Sequence, residues 1–479
     1  MKKQLFFLII VSLLKLNLSF LFAQSLCFSP PALHFTGAGN GIYGAVADDF
    51  NNDGFIDLVT SNSTSNNISF MPGDGAGSFG SGVNYATGSV SSGMSMGDFN
   101  NDGEQDVVTT NQASHDISVL TGNGNGTFNN AINIPVAGGS PQVVICHDFD
   151  NDTILDLAVG CYSGALIILK GDGNGNFSTL NTYITGAWMG SITLADFNND
   201  GLEDIALPGG FAYSIIFLPG LGGGNFAAPV SLPCSERPFY LAAADLNNDS
   251  LPDIIAANAQ DTSVTVFTNA GNFSFAPPAY YYFPGPWYLS PGFVALANFN
   301  NDSIPDILVA YNTLNGIAVL PGTGNGNFSN AQNFPGASGC VLALAIDLNQ
   351  DGKTDVIHPS QGTPSYYVLL NCTPTGEAET WIQNTDVKIY PTIVSDFFTI
   401  AVCDINLFSS PAEISIFDQN GKLAWKYPRV TWDQTGSDEV SITLSCPSLP
   451  AGNYYLDIST PMIKEKEGRY IRNGKIMIL

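Results

Sequence analysis

Apolar residues in this chain fall in short runs, rich in Val, Ile, Leu and Ala and bounded by Gly, Asn, Asp and Ser. Around residue 150 the order is QVVIC (142–146), an Asp-rich turn, LDLAVG (155–160), LIIL (166–169), the glycine-rich GDGNGNF (171–177) and a weaker extended stretch. Runs this short, with β-branched members and Gly or Asn at their borders, predict strands; a helix needs a longer segment with apolar positions three and four apart. The same order returns along most of the chain, with ISVL, SIIF, VTVF and IAVL as further third runs and GNGNGTF, GLGGGNF and GTGNGNF as further hairpins.

The polar turn between the first and second runs keeps the register. It reads DFNNDGFID (49–57), DFNNDGEQD (98–106), DFDNDTILD (148–156), DFNNDGLED (196–204), DLNNDSLPD (245–253), NFNNDSIPD (298–306) and DLNQDGKTD (347–355), with starts 49, 50, 48, 49, 53 and 49 residues apart. Four short antiparallel strands per repeat make a propeller blade, and seven repeats predict an all-β, seven-bladed β-propeller. The seventh repeat stops at YYVLLNC (366–372) without hairpin or fourth strand, while CFSPPALHF (27–35) matches a fourth strand and has no blade of its own. The N-terminal strand is therefore expected to complete the last blade. Counted from the first loop position, Cys372 falls where Asn123 sits in the second repeat and Cys27 where Gly126 sits, across one hairpin. That spacing predicts a Cys27–Cys372 disulfide that staples the ring. Cys146, Cys161, Cys234 and Cys340 carry no such argument and read as small core residues.

Composition adds boundaries. Among 479 residues, 44% are hydrophobic and only 12% charged, with 50 Gly, which suits strands joined by tight turns. The formal net charge is −27, and between residues 24 and 385 the basic residues are Lys170, Arg237 and Lys353 alone. So acidic a stretch argues against a nucleic-acid partner, which would need clustered Lys and Arg. Nine of the 15 basic residues follow residue 385, which marks a change of domain. The N-terminus, MKKQLFFLIIVSLLKLNLSFLFAQ, has lysines, an apolar stretch and Leu21-Phe22-Ala23, the form of a secretory signal peptide over 1–23. No later segment is long and apolar enough to span a bilayer, so the expectation is export and a secreted or cell-surface location.

The seven turns carry the candidate chemistry. Oxygen-bearing side chains at positions 1, 3, 5 and 9 of a tight turn, with a backbone carbonyl at position 7, form the kind of cage that Ca²⁺ prefers. The ligand set is Asp49, Asn51, Asp53 and Asp57, with the Phe55 carbonyl; Asp98, Asn100, Asp102 and Asp106; Asp148, Asp150, Asp152 and Asp156; Asp196, Asn198, Asp200 and Asp204; Asp245, Asn247, Asp249 and Asp253; Asn298, Asn300, Asp302 and Asp306; and Asp347, Asn349, Asp351 and Asp355. An EF-hand starts the same way but ends in Glu at position 12 between helices, and these turns lie between strands. The carboxylates at these positions number 21 of the chain's 42 acidic residues, so up to seven structural Ca²⁺ ions are expected to relieve their repulsion. The sixth loop, with Asn298 first and two carboxylates, is expected to bind most weakly. Thr153, Ser250 and Ser303 replace the turn glycine.

Recurring in register, the D-x-[DN]-x-D-[GST]-x-x-D loop resembles the FG-GAP or VCBS-type calcium-binding repeat of integrin α-subunit propellers and many secreted bacterial proteins, over about residues 27 to 372. The resemblance implies a propeller with calcium loops on one face and partner binding usually on the other; it does not imply one function. After a polar linker (373–385), the stretches DVKIYPTIVSDFFTI, AEISIFDQNGKLAWK and LPAGNYYLDIS, with an Asn420-Gly421 turn, predict a small β-sandwich over 386–479. Tyr390-Pro391, Gly421-Lys422, Leu449 to Tyr454 and the terminal Lys475 to Ile478 resemble the C-terminal sorting domain of type IX secretion cargo, although Pro391-Thr392-Ile393 departs from the usual Pro-Asn-Pro. That resemblance implies export through an outer-membrane secretion machinery. Cys403 and Cys446 are a candidate pair within this region.

Catalytic signatures are sparse. Gly93 to Gly97 (GMSMG) fits G-x-S-x-G, but it lies on a strand leading to an Asp loop, with no helix after it. His34, His115, His147 and His358 have no zinc spacing. Segments leading into the first strands lie opposite the Asp loops and carry aromatics: Tyr43, Trp188, Phe239, Tyr240, Tyr281, Trp287 and Tyr288. Such rings suit sugars or a protein partner. The expectation is a non-enzymatic, calcium-stabilised binder of a surface protein or glycan; the alternatives are a polysaccharide lyase or hydrolase on the same scaffold, and a purely structural surface component.

Overall fold

Each repeat folds into one four-stranded antiparallel sheet in the computed structural model, which describes residues 26–37, 41–187, 190–259, 262–283, 290–311, 316–336, 339, 342–361 and 363–372, and the backbone of strands between 387 and 478. The expected signal peptide (1–23), the expected linker (373–385), Trp188, Trp287, Tyr288, Cys340, Cys403, Cys446 and the expected Asn420-Gly421 turn lie outside the described residues. In the first blade the strands are Ile42–Asp48, Asp57–Asn62, Asn67–Met71 and Val83–Ala86, paired in chain order. The first strand delivers the chain to the Asp loop, the second returns from it, and the hairpin between the third and fourth lies at the loop end again. Blades two to six repeat this plan, from Ser91–Gly97 to Gln332–Phe334. Among the described residues the helical content is one 3₁₀ turn, Gly210–Ala212.

The middle strands are buried on both faces, so their burial does not alternate; Asp57–Asn62, Asp106–Asn111 and Asp156–Cys161 are buried at every position, polar Thr60, Ser61, Asn62, Thr109, Thr110 and Asn111 included. Their side chains fill clusters between blades rather than within them. Val59, Ile68 and Phe70 meet Val107, Leu120 and Phe128 between blades one and two, and equivalent clusters follow at each boundary. The ring closes with Ala45, Leu58 and Met71 of blade one packed on Ile357, Tyr366 and Val368 of blade seven.

Blade seven is completed by the N-terminal strand Ala32–Phe35, in register Ala32↔Val368 to Phe35↔Ser365. Phe28 places its ring 5.8 Å from Phe299 and 4.8 Å from Phe334. Cys27 and Cys372 form a disulfide with Cα atoms 5.1 Å apart. The register differs by one residue from the spacing argument: the Cys372 N–H donates to the Cys27 carbonyl as the Asn123 N–H donates to that of Thr127, so Cys27 takes the place of Thr127, not Gly126. Cys146, Cys161 and Cys234 are free thiols, and Cys161 is buried.

The C-terminal unit, Thr375–Leu479, is separate. Its backbone forms two four-stranded antiparallel sheets, one including Val387–Val394, Phe397–Val402 and Val440–Ser445, the other Ala412–Asp418, Leu423–Val430, Tyr454–Ser459 and Gly474–Ile478.

Candidate cation loops and the opposite face

All seven Asp loops take one backbone path. Position 4 is left-handed in each, with φ from 58° to 62° at Asn52, Asn101, Asn151, Asn199, Asn248, Asn301 and Gln350. Position 6 is left-handed too, at φ 88° in Gly54 and 71°, 68° and 67° in Thr153, Ser250 and Ser303. Glycine suits that conformation; a β-branched threonine is strained in it.

The turn is held by its own carboxylates. The position 1 Asp accepts the N–H groups of positions 5 and 6, as Asp49 does from Asp53 and Gly54 at 3.1 and 2.8 Å. The same pair of bonds occurs at Asp98, Asp148, Asp196, Asp245 and Asp347. In the sixth loop Asn298 makes neither bond, and its buried Oδ1 has no hydrogen-bond partner. The position 5 Asp accepts from the N–H of position 7 in every loop.

Position 9 has a second role that the sequence did not disclose. Asp57, Asp106, Asp156, Asp204, Asp253, Asp306 and Asp355 are fully buried. One oxygen accepts the N–H of position 2, and the other accepts an N–H of the same blade's hairpin: Asp106 holds Phe99 at 2.9 Å and Gly122 at 2.7 Å. The pair recurs in all seven blades and ties each loop to its hairpin. Burial pushes the carboxyls of Asp57, Asp106, Asp204 and Asp306 up to about 6, against the downward pull of these N–H bonds. Asp106→Asn keeps an acceptor for one N–H and turns an amide donor toward the other. It is expected to cost about 1–3 kcal/mol, read as a lower urea midpoint; a shift within error would show that the tie contributes nothing.

Neighbouring blades clamp the first six loops from the side. The Phe50 carbonyl accepts the Gly126 N–H, Phe99 that of Gly175, Phe149 that of Gly224 and Leu246 that of Gly326. Where the next hairpin lacks that glycine, an asparagine side chain makes the bond instead: Asn269 to the Phe197 carbonyl and Asn371 to that of Phe299.

Each loop thus gathers carboxylate, amide and carbonyl oxygens, the donor type that hard divalent cations take. Buried oxygens at ligand positions lack hydrogen-bond donors in three loops, at Asp150, Asn198 and Asn298. The carboxylates of Asp148, Asp150 and Asp156 present oxygens within 4.8 Å of one another. The residues present fit such an ion, although the third loop differs from the rest.

At the other end of the ring the first strands and the segments beside them, from all seven blades, surround a funnel of about 460 Å³, which includes Tyr43, Gln112, Gln142, Phe239, Tyr240 and Gln361. None of its described lining residues is charged, in a chain of net charge −27. Tyr43 is 41% exposed there. Tyr240 lines the wall and packs on Phe293 with centroids 4.6 Å apart. Tyr281 corrects the sequence reading: its ring lies edge-on to Phe328 at 5.6 Å and its hydroxyl accepts the Phe328 N–H, so it is spent between blades five and six. Tyr85 with Phe128 and Tyr183 with Phe226 make the equivalent ring contacts.

A family model described as FG-GAP-like repeat matches residues 49–109, 98–159, 148–207, 245–309 and 298–358, each stretch running from one Asp loop through the next. No curated protein matches the chain. Solved structures of BBS1N in complex with ARL6DN, soaked with mercury or lead, share the fold, with TM-scores of 0.52 and 0.51 at 10% and 11% identity; they cover 72% and 73% of this chain and 97% and 98% of theirs. An Agrocybe aegerita lectin that recognises non-reducing terminal N-acetylglucosamine aligns with a TM-score of 0.46 and 16% identity, over 62% of this chain and 81% of its own.

Proposed function

The chain belongs to the FG-GAP-like repeat family, and from that premise we propose that it is a calcium-stabilised propeller that recognises an uncharged glycan terminus on the face opposite its Asp loops. The observation that carries this reading is the uncharged funnel to which every blade contributes. Its volume lies within the range of small-ligand pockets. The Tyr43 and Phe239 rings offer faces for the apolar side of a sugar, and the amides of Gln112, Gln142 and Gln361 both donate and accept hydrogen bonds. Calcium would be held at the far end by the Asp loops, keeping the blades in place rather than touching the ligand. The signal segment and the resemblance of 386–479 to a sorting domain support display at the cell surface.

The test is binding of the secreted chain to a glycan array, with Tyr43→Ala and Gln142→Ala beside it. A neutral glycan bound by wild type and weakened at least about tenfold by either substitution is expected, a loss of about 1.4 kcal/mol. Unchanged thermal melting would show that the fold survives. Glycan binding that both variants retain would place the ligand elsewhere, and an array without hits would turn the reading toward a protein partner.

A further inference from the structure

The third Asp loop departs from the other six in two places at once. Position 3 is Asp150, where the others have Asn51, Asn100, Asn198, Asn247, Asn300 and Asn349. The residue before the hairpin is Lys170, where the others have Pro72, Thr121, Pro219, Thr268, Pro321 and Leu370. Space brings the two differences together. The Lys170 ammonium donates to Asp150 Oδ2 and, at 2.7 Å, to Asp152 Oδ2. Asp150 is nearly covered, its side chain 12% exposed, while Lys170 reaches in from the strand Ala165–Gly171.

We propose that Lys170 is the third loop's own counter-cation: its ammonium occupies the carboxylate cluster that a divalent ion would otherwise take, so this loop is ordered without calcium. The inference rests on the calcium reading of the other loops. Charge supports it, since the extra carboxylate at position 3 brings one negative charge and the lysine one positive. Geometry supports it as well. An ammonium offers three N–H donors, and the two oxygens that accept from it, Asp150 Oδ2 and Asp152 Oδ2, are at positions a cation would use, so the two occupants compete for them. Tethering keeps the ammonium at a high effective concentration whatever the calcium level outside. Lys353 provides the contrast: it belongs to its own loop at position 7 and reaches one oxygen of Asp351, at 3.2 Å, leaving Asp347, Asn349 and Asp355 unengaged by it.

The experiment counts calcium bound per chain by equilibrium dialysis at saturating calcium, on the full chain. Lys170→Met is compared with wild type, and Lys353→Met serves as control. A double variant, Asp150→Asn with Lys170→Thr, gives loop three the Asn and Thr that loop two carries, which keeps the question answerable should four unpaired carboxylates unfold the single variant. The expected result is one calcium more than wild type in both loop-three variants, and no change in the control. Equal, non-zero counts in wild type and the loop-three variants would overturn the inference. A wild type that binds no calcium at all would instead remove the calcium reading beneath it.

Discussion

Transferring the protein from millimolar calcium to EDTA at neutral pH is expected to lower its melting temperature by about 10 °C or more. With an extracellular-type dissociation constant of ~0.1 mM and ~1 mM calcium, each occupied loop contributes roughly 1.4 kcal/mol, and five or six loops together roughly 7–9 kcal/mol. Spread over the unfolding entropy of a propeller this size, that is a shift of about 10 °C. The sign of the pH dependence supplies a second readout. Without calcium the buried carboxyls of Asp57, Asp106, Asp204 and Asp306 have folded-state values raised to about 6 from the ordinary 3.8, and burial raises those of Asp156, Asp253 and Asp355 as well. Their stabilisation is then complete below the unfolded value and lost as pH rises through the folded one, so in EDTA the melting temperature should climb as pH falls from 7 to 5. Calcium holds its ligand carboxylates ionised and reverses the sign: in its presence the same fall in pH should lower the melting temperature. Melting curves that coincide with and without calcium would contradict the loops' role.

Opening the covalent staple is the next largest effect. The disulfide spans 345 residues, and the chain-entropy argument for so long a loop gives a stabilisation of up to about 5 kcal/mol. It also fixes the one blade built from both ends of the propeller, whose N-terminal strand has four paired positions, Ala32 to Phe35. Cys27→Ser with Cys372→Ser should therefore lower the melting temperature by several degrees, and reductant should bring wild type down to the variant. Hydrogen exchange should speed up first in residues 32–35 and 365–369. A variant that melts with wild type in the absence of reductant would show that blade packing alone closes the ring.

The propeller was legible because its signals repeat. Seven Asp loops in register, with a hairpin at nearly the same distance after each of the first six, outweigh any ambiguity in a single apolar run. Closure of the ring could also be read, because the seventh repeat lacks what residues 27–35 supply, although the cysteine register slipped by one. Contacts that join distant positions were harder. The two N–H bonds to Asp106 come from residues seven before and sixteen after it, and only the folded blade brings them to one carboxylate. Lys170 stands twenty residues from Asp150, beyond any local pattern. Tyr281 was misread although a signal was present: Tyr85, Tyr183 and Tyr281 lie two repeats apart at equal spacing, which marks a packing position rather than a ligand face.

Anomalous diffraction from crystals grown in calcium would test the central claim most directly. Peaks are expected within the oxygen cages of loops one, two, four, five and seven, with the Lys170 ammonium and no peak in loop three. A map without a peak in any loop, from crystals grown in millimolar calcium, would contradict the claim that these turns are cation sites.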